Sequence, residues 1–292
     1  MTLSNAGPTS ARRILGVDAG GTGTRAVVVH EGRIVERVEI GPLNVLLHSD
    51  SVVRLVALIT EMRADAAGFG LPGVQNASDG QVVVDAIRRL TTVPVAVTDD
   101  SEAALLGAFD GGPGIIVIAG TGSIACGRGE SGQLVRIGGH GFLLGDDGGG
   151  YWIGRECVRA ALRADDGSGP ATALCAVVAE VFGNARDAVR RVHESPTDRT
   201  LFTTLVPLAA ALDDPVAKDI FVRAAAHLTH LATTMRSKLG PLPVAMVGGV
   251  FRVESVRQAF TDATGAVLPI GPPELGAVRF AQLHLSEEMA RS

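Results

Sequence analysis

The sequence predicts an α/β protein built from two related halves, and three observations carry that prediction. Short β-branched apolar runs alternate with longer segments of helical spacing. A strand, a turn of glycine and threonine, and a second strand occur near Gly20 and again near Gly120, which marks an internal repeat. The 292 residues, 46% of them hydrophobic, also hold enough apolar material for about two cores.

Each element follows from local pattern. Ile14 to Asp18 is an apolar run, Ala19 to Gly23 a glycine-rich turn, and Thr24 to His30 a second β-branched run. Glu31-Gly32 turns the chain again, and Arg33 to Ile40 alternates polar and apolar residues as a half-buried third strand does. Val52, Leu55, Val56, Ile59 and Met62 then recur at helical spacing, predicting a helix over Ser51 to Ala67. A shorter helix covers Gln81 to Leu90. Val93 to Thr98 is a buried strand that ends at Asp99-Asp100, and a helix follows over Ala103 to Phe109. The second half opens in the same way, with strands at Gly114 to Ala119 and Ile124 to Gly127 flanking the turn Gly120 to Ser123. Beyond them the chain is mainly helical to about Ser237, most clearly at Ile153 to Leu162, Ala171 to Phe182 and Ala217 to Lys238. Val244 to Val247 is a further strand ending in Gly248-Gly249, with a helix over Val253 to Ala263. A last helix, about Glu274 to Met289, has a face for either half. The expected division is 1–110 and 111–292, with the helix at 274–289 able to return to the first domain.

Composition narrows the function. Charged residues are 20%, the net charge is −5, and no low-complexity tract interrupts the middle, so extensive disorder is excluded. No apolar run reaches the roughly 18 residues of a spanning helix, and MTLSNAGPTSARR has no apolar stretch behind its arginines, so a cytoplasmic protein without a membrane partner is expected. The arginines are scattered, not clustered with aromatics, which argues against nucleic acid. Neither lysine, Lys218 nor Lys238, follows a glycine-rich turn, so there is no P-loop. Cys126, Cys157 and Cys175 are odd in number and widely spaced, and read as reduced thiols.

Five segments carry chemistry. In Asp18-Ala19-Gly20-Gly21-Thr22-Gly23-Thr24 an acid at a strand end precedes uncovered amides; Gly20, Gly21, Thr22 and Thr24 are candidates for phosphate, and Asp18 for a hydrated Mg²⁺. Gly120, Thr121, Gly122 and Ser123 form a second such turn, and two turns can clamp one polyphosphate. Of Asp99 and Asp100, one suits a helix cap and the other a proton acceptor in phosphoryl transfer, the role given to Asp100. The glycine-dense Gly138 to Trp152 holds the chain's one tyrosine and one tryptophan. Its Gly139, His140 and Gly141 bring backbone close to a ligand, and Asp146 can accept two sugar hydroxyls. Gly248 and Gly249 leave backbone uncovered for a flat base. His227 and His230 share a helix face but have no third zinc ligand nearby and read as structural.

Together these segments resemble the sugar kinase, hsp70 and actin superfamily, and within it the BadF/BadG/BcrA/BcrD-type family that includes N-acetylglucosamine kinase. GVDAGGTGTR is similar to its first phosphate segment, VTDDSEAALLGAF to its catalytic-aspartate segment, and IAGTGSIACG to its second phosphate segment. GGHGFLLGDDGGGYWIG is similar to its sugar and hinge segment, and VGGVF to its adenosine segment. The resemblance implies two ribonuclease-H-like, actin-like ATPase domains closing around ATP, Mg²⁺ and a hexosamine whose 6-hydroxyl is phosphorylated. It implies Asp100 as base and sugar ligand, Asp18 as metal-side acid, Thr22 and Thr121 as phosphate contacts, and Asn44 and Val45 of GPLNVLL with Asp146 at the sugar. A homodimer is expected. The sequence departs from the family at His140, where N-acetylglucosamine kinases have tryptophan, and at Asp146-Asp147-Gly148-Gly149, where Asp-Glu-Gly-Ser is common. The stretch Gly68 to Asp79 is compressed. N-acetylglucosamine is the first substrate expected, with glucosamine, N-acetylmannosamine and N-acetylmuramic acid as alternatives. A rival reading is an ATPase activator with an iron–sulfur cluster bridging two subunits, which needs Cys126 or Cys157 as ligands. A sugar-responsive regulator is a third, and the DNA-binding helices such a protein carries are not expected in the short stretch before Ile14.

Overall fold

A computed structural model describes residues 12–20, 23–43, 50–74, 76–195 and 199–285. The first elements are β1 (Ile14–Ala19), β2 (Thr24–His30), β3 (Arg33–Ile40), α1 (Ser51–Glu61), β4 (Ala66–Leu71), α2 (Ala77–Arg88), β5 (Val95–Asp99) and α3 (Asp100–Ala108). Next come β6 (Gly114–Ala119), β7 (Ser123–Arg128), β8 (Leu134–Gly138), α4 (Gly150–Asp165), α5 (Leu174–Phe182), α6 (Ala185–Glu194) and α7 (Thr200–Ala210). The chain ends with α8 (Pro215–Leu239), β9 (Val244–Val247), α9 (Glu254–Thr264) and α10 (Pro273–His284). Two units form, one from Met1–Pro113 with Pro269–Ser292, the other from Gly114–Leu268.

In the first unit the sheet order is β3-β2-β1-β4-β5. β1 and β2 pair antiparallel, as do β2 and β3, while β4 runs parallel to β1 and β5 parallel to β4. Strand alternation divides the apolar residues between two faces. Leu15, Val17, Ala26 and Val28 bury against Leu55 and Ile59 of α1 and Val83 and Ile87 of α2. Ile14, Val27 and Val29 bury against Leu106 of α3 and Val278 and Ala281 of α10.

The α10 face is held at backbone distance. A Cβ on Gly16 would lie 2.1 Å from the Glu274 carbonyl oxygen, one on Gly68 2.0 Å from that of Ala277, and one on Gly276 1.7 Å from that of Ala103. Any side chain there would push α10 off the sheet and off α3.

The second unit has sheet order β8-β7-β6-β9, again with a meander of antiparallel strands and then a strand parallel to the first. This shared plan is the repeat seen in the sequence. Its core gathers Ile115 and Val117 of β6, Ile153 and Cys157 of α4, Leu228 and Ala232 of α8, and Phe260 of α9.

Several boundaries differ from the sequence expectation. The helix expected to reach Ala67 stops at Glu61, Arg63 takes φ 50°, and Ala66–Leu71 is instead β4. Its sequence AAGFGL is buried at every position and lacks both alternation and β-branched residues, so no period marks it. This strand opens the stretch read as compressed. β8 lies in the approach to the glycine-dense segment and was also not anticipated. α10 spans Pro273–His284, and the expected extension over 286–289 lies outside the described residues.

The seam yields a test. Gly276→Ala destabilises the protein by about 3 kcal/mol, as expected for overpacking against backbone that cannot yield. Urea unfolding reads this as a lower midpoint at unchanged m; an unchanged midpoint refutes the close approach.

Candidate active site

In the first unit the candidate residues gather at the C-terminal ends of the parallel strands, where open α/β sheets bind ligands. Asp18 pairs in register with Gly70, and Leu71 with Asp99. Asp18 stands directly across from Arg25, and the antiparallel register puts both side chains on the α10 face, where Arg25 Nη2 donates to Asp18 Oδ2 at 2.7 Å. The Asp18 side chain is only 13% exposed. Burial pushes its pKa up to about 6, Arg25 pulls it down, and the charges of Glu274 and Asp100 push it up further. Asp18, Glu274 and Glu39 all act on the one guanidinium of Arg25, and Asp100 acts on Asp18.

Asp99 and Asp100 divide their work. Asp99 is buried and caps α3, accepting from the Ser101 and Glu102 amides at 2.9 and 3.0 Å and from the Ser101 hydroxyl. Asp100, the first residue of the helix, is exposed. The next acid is held too, because Thr98 Oγ1 donates to Glu102 Oε2 at 2.6 Å.

Thr24 is not brought to Asp18. It faces the α1 side of the sheet, 1% exposed, and its hydroxyl has no hydrogen-bond partner among the described residues. Gly20 ends the described part of the turn. Gly21, Thr22, Asn44 and Val45 lie outside the described residues.

In the second unit the ends of the parallel strands β6 and β9 lie side by side, with Ile118 paired to Val247. Gly248, at φ 109°, makes this junction possible, since a Cβ there would sit 2.3 Å from the Ala119 carbonyl oxygen. Gly249 beside it has nothing within 4 Å of its Cβ position. The turn Gly120–Ser123 rests on the start of α4, where the Gly150 and Tyr151 amides donate to the Gly120 and Thr121 carbonyls at 2.8 and 2.9 Å. Thr121 is exposed, whereas Ser123 is buried and donates its hydroxyl to the Asp147 carbonyl at 2.7 Å.

The glycine-dense loop folds onto this turn. The Gly139 amide donates to the Ser123 carbonyl at 3.0 Å. Asp146 is buried with φ 61°, a left-handed conformation rarely taken by non-glycine residues. Its carboxylate accepts from the Ser123 and Gly141 amides while burial raises its pKa, and a Cβ on Gly122 would overlap its Oδ2 at 2.3 Å. Gly122, Ser123, Gly139, Gly141 and Asp146 thus form one constellation, with His140 exposed on its outer side. His227 packs edge-on against Trp152 with ring centroids 5.0 Å apart, a packing role.

Residues 15–281 match the family model described as the BadF/BadG/BcrA/BcrD ATPase family. The chain belongs to this family. An N-acetylmuramic acid/N-acetylglucosamine kinase of Clostridium acetobutylicum is 30% identical over 233 residues, 74% of this chain and 76% of that protein. A glucosamine kinase of Vibrio cholerae is 26% identical over 250 residues, 81% and 84% of the two chains. A solved structure from Chromobacterium violaceum, provisionally designated an N-acetylglucosamine kinase, matches with a TM-score of 0.78 at 27% identity, covering 94% of this chain and all of that one. The two-sheet α/β architecture is accordingly the actin-like ATPase fold that the motifs implied.

Sequence reasoning did not single out Arg25 or Glu274. Arg25 sits in a strand that reads as ordinary alternation, and Glu274 belongs to a helix start 256 positions after Asp18. Among the described residues no three His, Cys, Asp or Glu side chains converge closely enough to ligate a metal directly. The acids around Asp18 suit a cation that keeps its waters, as Mg²⁺ does.

The cysteines bear on the iron–sulfur reading. Cys126 and Cys157 are fully buried, and burial pushes the Cys157 thiol up to about 12. Neither can ligate a cluster shared with another subunit without leaving the core. In the native protein Cys126 and Cys157 resist alkylation while half-buried Cys175 reacts slowly, and denaturation releases all three. Mass spectrometry after timed labelling checks this; prompt native labelling of Cys126 or Cys157 contradicts it. Asp99→Ala removes the α3 cap and lowers stability by about 1 to 2 kcal/mol, read as a drop in Tm; an unchanged Tm denies Asp99 that role.

Proposed function

We propose that this chain is an ATP-dependent kinase that transfers the γ-phosphoryl group of ATP to the 6-hydroxyl of an amino sugar, N-acetylglucosamine first among the candidates. Family membership supports ATP as the phosphoryl donor, and the named relatives act on N-acetylmuramic acid, N-acetylglucosamine and glucosamine. The observation that carries the reading is the pair at the end of β5: Asp99 is spent on the helix cap, and Asp100 stands exposed at the same sheet end as Asp18.

In this reading the sugar binds with its 6-hydroxyl hydrogen-bonded to the Asp100 carboxylate. Asp100 accepts the hydroxyl proton as the O6–Pγ bond forms and the bond from Pγ to the β-phosphate oxygen breaks, releasing ADP. Amides of Gly20, Gly21 and Thr22 in one turn, and of Gly120, Thr121 and Gly122 in the other, hold phosphate oxygens by the dipoles of uncovered peptide groups. Gly248 and Gly249 leave flat backbone for the adenosine. Ser123 joins the phosphate contacts and Asp146 the sugar contacts, each also fixing its own segment from behind. Gly139, His140 and Gly141, with Asn44 and Val45, contact the sugar. Asp18 would hold a hydrated Mg²⁺ ion, which would supply charge neutralisation at the phosphates when bound.

Asp100→Asn keeps the shape and removes the base, so kcat falls by roughly 10² or more while ATP affinity stays near wild type. A coupled assay of ADP release, run with each candidate sugar against a sugar-free blank, reads the effect. Wild-type turnover in Asp100→Asn removes Asp100 from the mechanism, and ADP release indifferent to every sugar removes the kinase reading.

A further inference from the structure

Glu274 is a buried acid that the reading above does not use. It lies in the first turn of α10, 4% exposed, and its Oε2 has no hydrogen-bond partner among the described residues. A carboxylate near a helix N-terminus is favoured by the helix dipole, which accounts for an exposed acid at this position. It does not account for burying one with an unsatisfied oxygen, which costs about 1 to 3 kcal/mol, and more when the group is charged.

The seam explains how Glu274 comes to be there. Its carbonyl oxygen lies against Gly16, two residues before Asp18 on the same strand, so the packing of α10 on β1 brings the start of α10 to the strand that ends at Asp18 and the phosphate turn. Its charge acts on both Asp18 and Arg25. Asp18, Glu39 and Glu274 all act on the single guanidinium of Arg25, which already donates to Asp18. One guanidinium leaves these acids short of positive charge, and the unsatisfied oxygen is on Glu274.

We propose that Glu274 is a second metal-side acid, whose Oε2 accepts a hydrogen bond from a water of the hydrated divalent cation that Asp18 also holds through water. Water mediation agrees with the lack of a three-donor set among the described residues and with the reluctance of Mg²⁺ to shed its shell. Glu274 is then a positioning residue: it fixes the cation's water shell and through it the nucleotide phosphates, without touching the sugar. The proposal rests on the kinase reading only in taking the cation to be the one that accompanies the nucleotide.

The test uses Mn²⁺ as the probe and the full chain in wild-type and Glu274→Gln forms, with ADP and no sugar. Electron paramagnetic resonance of free Mn²⁺ gives the affinity, which falls by roughly 10-fold or more in Glu274→Gln, the scale expected when an outer-sphere partner of a metal is removed. ADP affinity in EDTA stays equal in the two proteins. The Tm without metal stays equal or rises in Glu274→Gln, because an uncompensated buried charge has gone. Wild-type Mn²⁺ affinity in Glu274→Gln overturns the assignment, and so does a Tm well below wild type without metal, which would make the carboxylate a support for α10. The Mn²⁺ readout involves no sugar, so a chain that phosphorylated none would leave it standing.

Discussion

The backbone contact of α10 with β1, β4 and α3 is the constraint on which the first unit depends. Gly16, Gly68 and Gly276 let carbonyl groups approach where any Cβ would overlap them. The contact closes the α10 face of the sheet, buries Val278 and Ala281 against Ile14 and Val27, and returns a segment from the end of the chain to the strand that opens it. Asp18 lies at the rim of this closed face, which is why its carboxylate is desolvated, and among the described residues Arg25 is the cation that answers its charge.

The second unit solves a similar problem with different chemistry. Its glycine turn is braced from behind by the start of α4 and by Asp146, whose left-handed backbone and buried carboxylate hold the loop against Gly122. Strain and burial cost energy and persist only where surrounding structure fixes them. Here that structure is the pair of amides from Ser123 and Gly141. The Ser123 hydroxyl, donating to the Asp147 carbonyl, helps hold the turn. The exposed groups are Thr121, His140 and the open backbone at Gly249.

Much of this was legible because strand ends punctuated by glycine are strong local signals. The repeat near Gly20 and Gly120, the strand ending in Gly248-Gly249, and the acid pair after β5 are all short-range patterns, and the structure keeps each where local pattern put it. What was not legible depends on contacts between distant segments. AAGFGL becomes a strand only because β1 and β5 flank it, and its two glycines sit where α10 presses on Gly68 and α3 on Gly70. Arg25 owes its importance to the register with Asp18, and Glu274 to a contact spanning almost the whole chain. The burial of Thr24 was not legible for the complementary reason: a motif gives residue types in a row, while strand alternation sends consecutive side chains to opposite faces.

The central claim is that the chain phosphorylates an amino sugar at its 6-hydroxyl, and the product itself decides it. Purified protein with ATP, Mg²⁺ and N-acetylglucosamine, followed by ³¹P nuclear magnetic resonance, should build up a phosphomonoester signal split by the two protons on carbon 6 as the γ-phosphate signal of ATP declines. Loss of the γ-phosphate signal into inorganic phosphate alone, with that sugar and with each of the other amino sugars, would contradict the account.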